Sequence, residues 1–291
     1  MTPDSSFTVA KTKAELRSVT AAWRAERLSV GYVPTMGALH GGHISLVRLA
    51  CARADRVVAS IFVNPAQFAA HEDLDTYPRT PDADLKALAD AGCHLAYLPD
   101  PAEIYPTDFS TSVRVGGVSE GLEAATRPHF FGGVATVVAK LLNQTRPDFA
   151  VFGEKDYQQL LVVRRLARDL DLDVEIVAGP TEREKDGLAM SSRNARLSPA
   201  GRVAAGLLNR VLFQMADRLR AGDGVESALA FGRDAISLTG VDRIDYLEVR
   251  DAETLAETGD GPIRKPVRIL ATVYVDGVRL LDNVAAAPAS P

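Results

Sequence analysis

No stretch of this 291-residue chain approaches the roughly 18 consecutive apolar residues of a membrane-spanning helix, so no membrane partner is expected. Cysteine is scarce: Cys51 and Cys93 are the only two, both in apolar surroundings. That argues against a disulfide framework or a structural zinc site and fits reduced thiols in a cytoplasmic protein. The opening MTPDSSFTVAKTK lacks the basic-then-apolar order of a secretory signal. Excess positive charge is lacking as well. With a net charge of −5, and with clusters such as Arg164-Arg165 surrounded by opposite charges, the chain is a poor polyanion binder, and nucleic acid is not an expected partner. There is no G-x-x-x-x-G-K-[ST] phosphate loop and no G-x-G-x-x-G fingerprint, and a hydrolase-type nucleophile elbow is not expected either. His40 and His43 have no clear third ligand nearby in sequence, so no protein-bound metal is expected.

What is present alternates. Residues 12–27 open with Thr12 and Glu15, a capping box, and carry Leu16, Val19 and Trp23 on one face, which predicts a helix. Apolar runs at 28–33, 56–63, 94–98, 148–152 and 174–178 read as strands, with helical patterns at 43–54, 82–91, 133–145 and 156–170 between them. The order predicts a doubly wound parallel sheet whose ligand lies outside the strands' carboxyl ends. Pro34, Asn64 and Gly153 are expected just past three such ends. After Pro180 a polar loop, 181–196, leads to helices at 199–221 and 224–238. Strands follow at 244–249, 267–275 and 278–281, the last two joined by Asp276-Gly277. We therefore expect two domains, residues 1–181 and 182–291, the second α+β, with residues 285–291 disordered.

Four segments carry chemistry. Pro34–His43 sets two histidines at a glycine-rich turn before a helix, where backbone N–H groups attract phosphate. The plain alternative is a turn with two solvated histidines. Phe62–Phe68 leaves a strand and presents Gln67, whose amide can both donate to a carboxylate and accept from a hydroxyl. Phe152–Gln159 repeats strand, glycine, helix: Lys155 could neutralise phosphate, Asp156 suits a cap, ribose or metal contact, and Gln159 could share a ligand with Gln67. Met190–Asn194 offers Ser191, Ser192 and Arg193 as a grip on β- and γ-phosphate oxygens in a loop able to close.

Together, P34-TMGALHGGH-43, F62-VNPAQF-68, E72-DLDTYPRT-80, R127-PHFFGGVATVVAKLLN-143, F152-GEKDYQQL-160 and D186-GLAMSSRN-194 resemble the pantoate–β-alanine ligase family. The first of these also resembles the HIGH signature of the nucleotidylyltransferase superfamily, and Met190–Arg193 its KMSKS counterpart. The resemblance implies a Rossmann-like ATP- and pantoate-binding domain, a smaller C-terminal lid and a homodimer. Met36, Gly37, Ala38, Leu39, His40, Gly41, Gly42 and His43 would line the ATP site, with His40 and His43 near the α-phosphate. Gly153, Glu154, Lys155, Asp156, Glu182, Met190, Ser191, Ser192 and Arg193 would complete it, Glu182 through its backbone. Gln67 and Gln159 would hold pantoate, Gln67 also near β-alanine, with Asn64, Tyr77 and Arg127 contributing. His43, His40 and Lys155 would be catalytic, and Mg²⁺ would enter mainly on ATP oxygens. Where the family commonly carries histidine after Arg-Pro-Gly, Phe130 stands here, with His129 one place earlier. Two other readings are an adenylyltransferase that stops after transferring AMP and a nucleotide sensor without turnover. The Gln67–Gln159 pair favours the ligase over the first, and the intact His40, His43, Lys155, Ser191, Ser192 and Arg193 set disfavours the second.

Overall fold

The computed structural model describes residues 7–68, 74 and 77–288. The opening residues 1–6, and positions 72, 73, 75 and 76 of the Glu72–Thr80 motif, lie outside them. Contacts divide the chain into two compact units, Met1–Glu154 with Val162–Pro180 and Lys155–Leu161 with Thr181–Pro291. The segment Lys155–Leu161 thus groups with the second unit.

The first unit is built on six parallel strands: β1 (Thr8–Ala10), β2 (Val30–Thr35), β3 (Arg56–Ile61), β4 (Leu95–Tyr97), β5 (Phe149–Gly153) and β6 (Glu175–Gly179), in the spatial order β1-β4-β3-β2-β5-β6. Its helices are α1 (Lys13–Ala25), α2 (Gly41–Cys51), α3 (Pro81–Asp90), the short α4 (Pro101–Ile104) and α5 (Glu123–Thr126), and α6 (Phe130–Thr145). The predicted capping box starts α1: Thr12 accepts from the Glu15 amide at 3.2 Å, and Glu15 accepts from the Thr12 amide at 3.1 Å. Val33, Val57, Ala59 and Val151 pack with Val47 and Ala50 of α2 and Leu88 of α3. That burial on the sheet explains why the strand runs are apolar throughout rather than alternating. The chain runs outward from β2 to β3 and β4, then returns to place β5 on the opposite side of β2. The switch point falls between β2 and β5, where a doubly wound sheet takes its ligand.

Four details differ from expectation. Pro34 lies inside β2 and Gly153 ends β5 from within. The Thr35 carbonyl accepts from the Phe62 amide, on the β3 side, so Pro34 faces the β5 side, where pairing with β2 covers only Gly31 and Tyr32; no ladder bond is lost to its missing N–H. Strand β1 and helices α4 and α5 were not expected, being only three or four residues long and too short to show a period. Finally, Ala285 and Ala286 are ordered strand, and Ala286 is buried. Residues 289–291 of the expected disordered tail lie outside the described residues.

Helix α7 (Tyr157–Asp169) begins in the second unit and continues in the first. The second unit otherwise comprises α8 (Pro199–Arg220), α9 (Val225–Ser237) and an antiparallel sheet of β7 (Arg243–Asp251), β8 (Val267–Val275) and β9 (Val278–Ala286), ordered β7-β8-β9. Ser198 caps α8, accepting from the Gly201 amide at 3.0 Å. The face of α8 carrying Leu208, Leu212, Met215 and Leu219 forms one core with Ile269, Ala271 and Val273 of β8. The β8–β9 turn passes through Asp276 and Gly277, both with positive φ, as Asp-Gly predicts. Among the described residues no helix is long and apolar enough to cross a membrane.

Candidate active site

The turn after β2 is unusual in its backbone and is held accordingly. Gly37 and Ala38 have φ of 84° and 50°, a left-handed pair that alanine adopts only at a cost. Asp84 of α3, 2% exposed, answers it: one carboxylate oxygen accepts from the Ala38 amide at 2.9 Å and the other from the Leu39 amide at 2.8 Å. The Thr80 hydroxyl donates to the same carboxylate at 3.2 Å. A buried anion anchored by backbone donors is what keeps the strained turn in place.

Helix α2 then starts at Gly41, two residues before the predicted start, which puts both histidines into its cap. His40 Nδ1 accepts from the Gly42 amide at 3.2 Å, and His43 Nδ1 accepts from the His40 amide at 3.3 Å. This is a capping box made of two imidazoles in place of the usual Ser/Thr and Glu/Gln. The rings lie 4.1 Å apart between centroids, tilted by 41°. Because each Nδ1 accepts, this network assigns the proton of each neutral ring to Nε2. Two fixed N–H donors at a helix N-terminus, at the sheet's switch point, suit an anion that gains charge.

Four of the five predicted acid-binding residues lie in the first unit, linked around the 3-10 turn Pro65–Gln67. Gln67 is buried; its Nε2 donates to Met36 Sδ at 2.8 Å and its Oε1 accepts from Asn64 Nδ2 at 3.2 Å. Arg127 donates to the Gln67 carbonyl at 3.2 Å and stands 3.7 Å from Glu123. Tyr77 meets Phe68 edge-on at 5.9 Å. Asn64, 1% exposed, has its amide capacity filled: Nδ2 also donates to the Gly133 carbonyl, and Oδ1 accepts from the Ala66 amide and from the Tyr105 hydroxyl. It acts by orienting Gln67. Gln159 lies in the first turn of α7, in the segment that groups with the second unit.

In the second unit, Lys155 sits in the 3-10 turn Glu154–Asp156, its Nζ 3.6 Å from Asp156 and its carbonyl accepting from Asn283 Nδ2 at 2.8 Å. A hairpin carries the serines: the Met190 amide donates to the Glu182 carbonyl at 2.9 Å and the Glu184 amide to the Leu188 carbonyl at 2.8 Å. Ser191 caps the 3-10 turn Ser192–Arg196, accepting from the Arg193 amide at 3.3 Å. Asn194 ties that turn back to Glu184 and to the Ala189 carbonyl, while Arg183 makes a bidentate pair with the buried Asp282 at 2.7 and 2.9 Å. Glu182 and Met190–Arg193 therefore form one scaffolded element rather than an unsupported loop.

Sequence reasoning missed Asp84, Tyr105, Gly133 and Asn283. The Thr80-Pro81-x-x-Asp84 string marked a helix start but said nothing of which distant amides its acid would hold. It also missed that Gly117-Val118-Ser119-Glu120-Gly121 spells G-x-S-x-G. This string lies in turns with no preceding strand, and the Ser119 hydroxyl donates to the Val115 carbonyl, so it is not a nucleophile elbow. At the Arg-Pro-His-Phe position, the Arg127 guanidinium stacks 4.0 Å over the Phe130 ring. His129 Nε2 is buried without a hydrogen-bond partner.

The comparisons with known proteins agree along nearly the whole chain. The family model described as pantoate-beta-alanine ligase matches residues 8–285. The chain belongs to the pantoate–β-alanine ligase family. It is 56% identical over 283 residues to the pantothenate synthetase of Maricaulis maris, covering 96% of each chain, and 52% identical to that of Rhodospirillum rubrum, covering 95% of this chain and 98% of the relative. The crystal structure of pantothenate synthetase from Thermus thermophilus superposes with a TM-score of 0.91 at 44% identity, covering 97% of this chain and all of that one. The Francisella tularensis pantoate-beta-alanine ligase, solved in complex with "Beta-gamma ATP and Beta-alanine", superposes with a TM-score of 0.80 at 31% identity, covering 96% of this chain and 97% of that one. The six-stranded parallel sheet and the small antiparallel sheet are those of the family.

Proposed function

We propose that the chain joins (R)-pantoate to β-alanine at the expense of ATP, giving pantothenate, AMP and pyrophosphate through a pantoyl adenylate. The observation that carries this reading, beyond family membership, is the two-histidine cap at the switch point of the sheet. In the first step a pantoate carboxylate oxygen attacks the α-phosphorus of ATP. The bond to the β-phosphate bridging oxygen breaks, and pyrophosphate leaves with that electron pair. No protein nucleophile is needed; what is needed is donors and cations around phosphorus. His40 and His43 supply Nε2–H donors there, Lys155 supplies positive charge, and Ser191, Ser192 and Arg193 hold the leaving phosphates. In the second step the β-alanine amine attacks the acyl carbon of the adenylate, the acyl–phosphate oxygen bond breaks, AMP leaves, and the amine loses a proton.

Gln67 and Gln159 hold pantoate in this account, with Asn64 and Arg127 fixing Gln67 from either side and Tyr77 supporting the wall through Phe68. The remainder of Met36–His43 lines the nucleotide, with Gly153, Glu154, Asp156 and the Glu182–Met190 backbone completing its site. Among the described residues no group of three or more His, Cys, Asp or Glu could hold a metal ion, and the Asp84 carboxylate is engaged by backbone amides. In this reading Mg²⁺ enters as the ATP complex, held mainly by nucleotide oxygens and water. Residues 1–181 act as the ATP- and pantoate-binding domain and 182–291 as its lid, in a cytoplasmic homodimer.

The test is product stoichiometry. Sustained AMP release is expected only when ATP, Mg²⁺, pantoate and β-alanine are all present, with one pantothenate formed per AMP. AMP release at an unchanged rate without β-alanine, or adenylylated pantoate as the end product in its presence, would overturn the ligase reading.

A further inference from the structure

The second unit reaches Lys155 through a buried polar relay that the reaction itself does not call for. Arg268 of β8 is 8% exposed, its guanidinium stacked 4.1 Å over the Tyr157 ring, whose hydroxyl donates to the Ala252 carbonyl at 2.8 Å. Arg268 Nε donates to Asn283 Oδ1 at 2.5 Å, and Asn283, itself 3% exposed, donates from Nδ2 to the Lys155 carbonyl at 2.8 Å. The orientation of the Asn283 amide is forced by chemistry. Arg268 can only donate and the carbonyl can only accept, so Oδ1 must face the first and the amide nitrogen the second. The contacts running from Arg268 through Asn283 thus end, on this side, at the peptide plane of Lys155.

We propose that Asn283, backed by Arg268, is a positioning residue for Lys155: by gripping the Lys155 carbonyl it sets the direction in which the lysine leaves the chain. The proposal rests on Lys155 acting at the phosphates. It also accounts for the grouping of Lys155–Leu161 with the second unit, since β9 holds that turn directly.

The informative variant is Asn283→Asp. Its carboxylate still accepts from Arg268, which preserves the buried contact, but it turns a lone pair instead of an N–H toward the Lys155 carbonyl. Adenylate formation from ATP, Mg²⁺ and pantoate is measured with enzyme in excess, beside a thermal melt. We expect a loss of about tenfold in maximal rate, as for a catalytic group displaced by a fraction of an ångström, with an unchanged pantoate KM. Asn283→Ser, whose hydroxyl is too short to reach both partners, carries the same test should Asn283→Asp fold poorly. In a Lys155→Ala background, Asn283→Asp is expected to cause no further loss, because the group it directs is gone. A full rate in both Asn283 variants, or a loss that multiplies undiminished in the Lys155→Ala background, would overturn the positioning role. Lys155→Ala alone separates the two readings: near-normal activity there refutes the phosphate role of the lysine, whereas an impaired Lys155→Ala beside active Asn283 variants refutes only the relay.

Discussion

His43→Ala is expected to slow formation of pantoyl adenylate by about 10²–10³-fold, the usual cost of removing one preorganised donor from a site where negative charge accumulates. The size of the effect follows from what the ring does. Its Nδ1 is committed to the His40 amide, so its Nε2–H is fixed in direction before ATP arrives. The variant loses that donor, and the His40 amide loses its acceptor. The second step should suffer less, because attack on the acyl carbon first builds charge on the carbonyl oxygen, and charge returns to the phosphate only as AMP departs. Quenched-flow measurement of adenylate from ATP and pantoate, set beside amide formation from supplied pantoyl adenylate, separates the two. A His43→Ala enzyme that forms adenylate at nearly the normal rate would remove the imidazole from the mechanism.

Gly133→Ala should be almost as damaging although Gly133 touches no substrate in this account. A Cβ there would stand 2.3 Å from the Ala66 carbonyl oxygen, 2.6 Å from its carbon and 2.8 Å from the Gln67 nitrogen. All three are backbone atoms, so neither α6 nor the Asn64–Gln67 turn can relieve the clash by turning a side chain. The same turn is tied to α6 by the Asn64–Gly133 hydrogen bond, so displacing one displaces the pantoate amide. We expect roughly a hundredfold loss in kcat/KM for pantoate, with destabilisation of about 1–3 kcal/mol as for an overpacked core. ATP binding measured without pantoate should be little changed. Unaltered use of pantoate by Gly133→Ala would mean that this close approach does not position Gln67.

Local arrangements were legible in the sequence and distant ones were not. The placement of His40 and His43 at a helix start was legible because it is local: a strand end, two glycines and a helix start lie within ten residues, and the cap forms among neighbours. The same holds for the Thr12–Glu15 box, the Asp276-Gly277 turn and the alternation of apolar runs with helical stripes, all set by short-range periodicity. Asp84, Gly133, Tyr105 and Asn283 were not legible, since each acts on backbone or side chains tens of residues away. Nothing in Thr-Pro-Asp-Ala-Asp indicates that the last acid is buried against the amides of Ala38 and Leu39, 46 and 45 positions earlier. Pro34 misled for a related reason: proline usually ends a strand, and only the one-sided pairing of β2 at that point makes it harmless. The letters G-x-S-x-G at Gly117–Gly121 err the other way, a motif in spelling without the strand–turn–helix that would give it chemistry.

Activation of a carboxylate by adenylyl transfer is the central step, and one measurement addresses it directly. The enzyme is mixed with ATP, Mg²⁺ and pantoate, with β-alanine withheld, and the quenched mixture is read by mass spectrometry. Pantoyl adenylate should appear, in amounts up to that of the enzyme, with an equal quantity of pyrophosphate, and should be consumed on adding β-alanine. Formation of pantothenate without that species ever appearing, or release of ADP and phosphate in place of pyrophosphate, would contradict it.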